Sequence, residues 1–81
     1  MVLRVSPQEA PYVLSLPLHA SQQVVAEQHG YLKVELHVIL NYELEREILG
    51  FGEEVEVVEP VHLREKIAER LERGRGFYES A

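Results

Sequence analysis

The chain contains no cysteine and no tryptophan among its 81 residues. Without cysteine there can be no disulfide, no thiolate metal site and no thiol nucleophile, and cysteine gives no sign of an oxidising compartment. Basic residues are scarce, eight Lys+Arg against fourteen Asp+Glu for a net charge of −6, so the chain as a whole repels a phosphate backbone. No apolar run approaches the roughly 20 residues of a membrane span, and no cationic segment followed by an apolar one opens the chain. These absences lead us to expect a soluble cytoplasmic protein that contacts no membrane.

What is present is the composition of an ordinary folded domain, 46% hydrophobic and 27% charged. Eighty-one residues suit one domain, 1–81, with a thin core. Residues 1–40 hold only Arg4, Lys33, Glu9, Glu27 and Glu35 as charges. The second half holds the rest with signs mixed, a pattern of solvated faces.

Met1 to Val5 alternates as a first strand, with Leu3 and Val5 on one side and Val2 and Arg4 on the other. Ser6-Pro7-Gln8-Glu9 reads as a capping box, which predicts a helix from Pro7. Pro11 would make that helix irregular through Tyr12, Val13 and Leu16, and Leu16-Pro17 would end it. Ser21 to Glu27 and Tyr31 to Ile39 form a hairpin about Gln28-His29-Gly30. In its second strand Val34, Leu36 and Val38 face the core while Lys33, Glu35 and His37 face out.

Asn41 caps a helix through about Leu49 with Leu44 and Ile48 inward, Glu43, Glu45 and Glu47 outward, and Gly50 and Gly52 as its stop. Phe51 between them reads as a core plug. Val55 to Val58 is a strand with Val55 and Val57 inward, and Pro60 starts a helix striped by Leu63, Ile67 and Leu71 and stopped at Gly74. Arg75 to Ala81 is assigned no element. The order is that of an α+β, ferredoxin-like βαββαβ antiparallel sheet with an extra C-terminal helix. Right-handed crossovers place the first two helices on one face. The other face carries Arg4, Lys33, Glu35, His37, Glu54 and Glu56.

Chemistry is sparse. His19, His29, His37 and His62 lack metal-ligand spacing, so no metal or cofactor is expected. Glu53, Glu54, Glu56 and Glu59 could supply a carboxylate pair, but alternation with valine is what a strand with one wet face requires. No serine lies in Gly-x-Ser-x-Gly, and Gly50-Phe51-Gly52 follows a helix where a dinucleotide loop must precede one. An RNA-recognition surface would need two or three aromatics on the central strands and a basic surround, and neither is evident. An acyl phosphate hydrolase on this fold would want an arginine in the first strand-to-helix turn, where Val5-Ser6-Pro7-Gln8 has none. No enzymatic activity is expected.

The run Glu43-Leu44, Ile48-Leu49-Gly50-Phe51-Gly52, Val55-Glu56-Val57, Glu59-Pro60, Leu63-Arg64 and Ile67 resembles the C-terminal extension, or WCX domain, of bacterial WYL-domain transcriptional regulators. Upstream, Ala10 to Val13, Ser21-Gln22 and Gly30 continue the resemblance over nearly the whole chain. His29 before Gly30, where the family often has an acidic residue, and Pro11 depart from the pattern. The resemblance implies a ferredoxin-like module that packs beside a WYL domain, helps its regulator dimerise and helps carry effector binding to the DNA-binding domain.

In that family the effector is thought to be nucleic acid or another anionic ligand held mainly by the WYL domain, and DNA is bound only through domains absent from this chain. The chain is thus expected to be an excised C-terminal fragment, with a second copy or its own WYL domain as partner. The other function weighed is a small-molecule sensor with its ligand site at a dimer interface. His19, Gln22 and Arg64 are the candidate ligand or domain contacts, being polar groups inside the matched motifs. Their structural alternatives are loop or strand-edge hydrogen bonding for His19 and Gln22, and a salt bridge for Arg64.

Overall fold

A computed structural model of the chain describes residues 1–79. Seven main elements follow one another: β1 (Val2–Val5), α1 (Ala10–Ser15), β2 (Gln23–Gln28), β3 (Tyr31–Glu35), α2 (Tyr42–Gly50), β4 (Val55–Glu59) and α3 (Val61–Glu79), with one 3-10 turn at Gly52–Glu54 before β4. The sheet is antiparallel throughout, in the order β2-β3-β1-β4. This is the ferredoxin-like split βαβ arrangement, with the extra helix α3 at the C-terminal end.

One core lies on one face of the sheet. Leu3, Val5, Leu32, Val34, Leu36, Val55 and Val57 meet Ala10 and Val13 of α1, Ile48 of α2, and Leu63 and Ile67 of α3. Val5 and Val34, on the two central strands, are wholly buried. Period-two burial selects this face, because alternate side chains of a strand point the same way. Phe51 packs against the core from its edge.

Several elements depart from the sequence expectation. The capping box does not form: Ser6 Oγ accepts from the Glu9 N–H at 3.2 Å within a turn over residues 7–9, the Ser6 N–H donates to the Glu54 carbonyl, and the α-helix starts only at Ala10, with Glu9 as an N-cap that has no side-chain cap bond. Pro11 therefore sits in the first turn, where no intrahelical donor is lost. β3 stops at Glu35, short of Ile39, because the His37 N–H donates to Ser21 Oγ at 2.9 Å in place of a ladder bond. β2 starts at Gln23, two residues later than Ser21, since the Gln22 N–H closes a turn on the His19 carbonyl at 3.0 Å.

The hairpin tip is a two-residue turn with positive φ at both His29 (54°) and Gly30 (84°), the combination that matches strand twist. At Gly30 a Cβ would come within 3.2 Å of the Pro7 side chain, tighter than ordinary contact, so glycine is favoured there by its positive φ and by the close approach.

Asn41 caps α2 as expected, its Oδ1 accepting from the Leu44 N–H at 2.9 Å. Glu45, expected outward, is buried, and Leu71, expected inward, is exposed. α3 runs through Gly74 and Gly76 to Glu79. Neither glycine takes the positive φ of a helix stop, and the pairs Glu69–Arg73 (3.5 Å) and Arg75–Glu79 (2.9 Å) support the last turns. Of the tail left without an element, Arg75 to Glu79 is thus helical, whereas Ser80 and Ala81 lie outside the described residues. No described helix is long and apolar enough to cross a membrane.

Candidate functional site

Gln22 is a strap inside the molecule. It follows the turn that leads into β2, and its amide spans two segments: Oε1 accepts from the Leu18 N–H at 2.9 Å and Nε2 donates to the Val13 carbonyl at 3.1 Å. Both ends of the side chain are occupied, so its reach toward a ligand is spent on holding α1 to the chain that follows it.

His19 forms a polar knot with Ser21 and His37. Its Nδ1 accepts from the Ser21 N–H at 3.0 Å and lies 2.7 Å from Ser21 Oγ. Ser21 Oγ in turn accepts from the His37 N–H and sits 3.3 Å from the His37 carbonyl. The acceptor role of Nδ1 requires a ring without a proton there, so the second nitrogen, Nε2, carries the N–H of the neutral ring. His19 and His37 are both exposed and line an open concavity of about 750 Å³ with Met1, Leu44, Glu43 and Glu47.

Arg64 lies elsewhere, at the opposite edge of the sheet. Near the start of α3, its Nη1 donates to the Val57 carbonyl at 2.9 Å and to Glu56 Oε2. Glu56 also meets Arg4 at 3.4 Å, and Arg4 stacks on the Tyr31 ring at 4.1 Å from its centroid. A chain of contacts thus crosses the open face from Tyr31 on β3 through Arg4 on β1 and Glu56 on β4 to Arg64. The Arg64 hydrogen bond, opposed by partial burial and reinforced by Arg4, holds the Glu56 carboxyl below the usual carboxylate range.

The structure therefore keeps His19 and Gln22 near one another and leaves Arg64 apart from them. Each of the three is engaged by its own neighbours. The remaining histidines, His29 and His62, are exposed, and no group of three or more His, Cys, Asp or Glu among the described residues could hold a metal ion. Glu54, grouped by the sequence with the open-face strand residues, lies in the 3-10 turn and accepts from the Ser6 hydroxyl. His37 lies beyond the end of β3, its ring 3.3 Å from Glu35.

Three features escaped the sequence. Glu45 joins α2 to α3 through Lys66 (3.1 Å) and Arg70 (3.2 Å), and Arg70 also lies over the Tyr42 ring. Arg4 stacks on Tyr31, which is the one aromatic that the central strands carry. And β2 is exposed at all six positions, Val24 and Val25 being about half accessible. A helix contact between residues 25 apart and a cross-strand register have no local signature. The exposure of β2 likewise follows from the sheet order, which no local signal carries.

Compared with known families, residues 1–74 match the model of the WCX domain. The chain belongs to the WCX domain family. No curated protein matches it. The match carries the resemblance seen in Glu43 to Ile67 over almost the full length, and WCX domains are a family of regulatory domains rather than a known enzyme family.

Proposed function

We propose that this WCX domain is a non-catalytic module of a bacterial DNA-binding transcriptional regulator, acting in the cytoplasm by docking onto a WYL domain and by self-association. The observation that carries this reading is the WCX match over 1–74. The site geometry agrees with it: Gln22, Arg64, Glu56 and Glu45 all spend their polar groups on contacts within the chain. Such a module regulates by contacts that differ between two arrangements of its neighbours, and needs no chemistry of its own. DNA is bound by other domains of the regulator, in keeping with the −6 charge here. An anionic or nucleic-acid effector is held mainly by the WYL domain.

The test uses the regulator's helix-turn-helix and WYL domains with and without this chain attached. With it, effector shifts operator affinity; without it, operator binding persists and the effector shift is lost. An effector shift of equal size in both would overturn the proposal.

The alternative, a small-molecule sensor, draws on the concavity of about 750 Å³ beside His19 and His37, a size that suits small ligands. A ligand that raises the melting temperature of this chain and loses that effect in His19→Ala would favour it.

A further inference from the structure

Cations are scarce in this chain, and six of the eight are spent on its own carboxylates: Arg4 and Arg64 on Glu56, Lys66 and Arg70 on Glu45, Arg73 on Glu69 and Arg75 on Glu79. Among the described residues Lys33 and Arg46 have no such partner. Arg46 is an exposed residue of α2. Lys33 stands on the open face of the sheet, directly opposite Arg4 in the β1–β3 pairing. Like charges set face to face on neighbouring strands destabilise a sheet.

The carboxylates around this pair are engaged or turned away. Glu35 lies 3.3 Å from the His37 ring, and Glu59 sits at the far end of β4, opposite Val2. Glu27 is opposite the core residue Leu32 and so points to the other face. Glu56 is shared by two arginines, so its one charge leaves one of theirs unmatched. With Lys33 added, two positive charges stand uncompensated around the Arg4 position.

The same row of the sheet continues from Lys33 to Ala26 on β2, and the next row sets Gln28 opposite Tyr31. Alanine's side chain stops at one methyl, and here Arg4, Lys33, Gln28 and Tyr31 line a recess of about 110 Å³. The Arg4 guanidinium lies on the Tyr31 ring with Nη1 toward Glu56. Its Nη2 and Nε, the Lys33 ammonium and the Gln28 side-chain amide have no hydrogen-bond partner among the described residues, so all remain available as donors.

We propose that this recess is a phosphate subsite, taking a compact dianionic phosphate, free or as a monoester, between Lys33 and Arg4 with the Gln28 amide donating from the hairpin end. Two charges on the ligand match the two left over, where a carboxylate would match one. The recess is below the roughly 300–1,000 Å³ of pockets that enclose a whole small molecule, so it holds the phosphate and leaves the rest of a ligand outside. Arg4 already covers one face of the Tyr31 ring. The net charge of −6 repels a long polyanion more than a single phosphate.

The test is a nitrogen-15 NMR titration of the 81-residue chain with glycerol phosphate at constant ionic strength and neutral pH, above the second pKa of about 6 of a phosphate monoester. The Gln28 side-chain amide and the backbone amides of Arg4 and Lys33 shift and saturate. Lys33→Thr weakens binding several-fold, while the ligand-free variant melts no lower than the native chain because the opposed cation is gone. Glu56→Gln tightens binding several-fold, since it frees Arg4 and removes a neighbouring carboxylate.

Inorganic phosphate binding as well as the monoester makes the ion itself the ligand, and a 5′-phosphorylated oligothymidylate binding better than both makes it the end of a nucleic-acid strand. The same oligothymidylate without its phosphate binding equally well would overturn the proposal. So would shifts that sodium chloride reproduces, Lys33→Thr binding like the native chain, or Glu56→Gln binding no tighter. The subsite belongs to this chain alone, so none of these results bears on docking to a WYL domain, which the effector-shift assay tests separately.

Discussion

The Glu45 carboxylate and the Arg70 guanidinium meet at 3.2 Å across the gap between α2 and α3, and Glu45 is the one buried charged side chain among the described residues. Lys66 shares the same carboxylate. This contact fixes where α3 leaves the core, since α3 buries only Leu63 and Ile67. A long helix with two buried residues is held in direction by its polar ties as much as by packing.

Glu45→Ala should therefore destabilise the chain by about 1–3 kcal/mol, as charged hydrogen bonds are removed. Arg70→Ala should cost less, because Lys66 keeps the carboxylate paired. Urea denaturation of both single variants and the double variant should show a coupling energy of at least about 0.5 kcal/mol. Strict additivity would mean that the pair contributes nothing.

Gln22→Ala removes both halves of the strap between α1 and the turn before β2. The Val13 carbonyl and the Leu18 N–H lose their partner in a partly buried place, which costs about 1–3 kcal/mol. Hydrogen exchange should report it locally: the amide of Leu18 should exchange faster by at least tenfold, with core amides less affected. If Leu18 exchange is unchanged, the side chain does not tie these segments together.

Glu56 gives a signed pH dependence. Its carboxyl is held down in the folded chain, first by Arg64. A group with a lowered folded pKa contributes stability above its unfolded pKa, and that stability is lost as pH falls through the folded value. Its side chain is 42% exposed, so solvent screening limits the contribution to about 0.2–1 kcal/mol. Glu56→Gln should match the native chain at acid pH and fall below it at neutral pH by that amount, measured as melting temperature from the carboxylate range up to pH 7. A deficit that persists unchanged in acid would assign the effect to packing.

Much of the fold was legible in linear order. Alternation in Leu3-Arg4-Val5 and Val55-Glu56-Val57, the Asn41 cap and the hairpin glycine each act within a few residues, and each appears where expected. The antiparallel four-strand plan follows from that order through the handedness of crossovers. The family pattern Glu43 to Ile67 was readable for the same reason, being a string of local signals.

What tertiary structure alone decided concerns groups distant in sequence. Glu45 lies on the face that periodicity marks as wet, and it is buried because α3 arrives beside it with Lys66 and Arg70. Leu71 continues an apolar stripe and is exposed because the core ends one turn earlier. Arg64 went to the β4 edge while His19 and Gln22 stayed at the other end of the sheet, so three polar residues of one motif set became two unrelated structural ties.

The openness of β2 could be seen only once the sheet order put it on the outside with no helix over it. Local hydrogen bonding and side-chain period are set by the near neighbours of each residue. Burial and pairing are set by what the rest of the chain brings alongside.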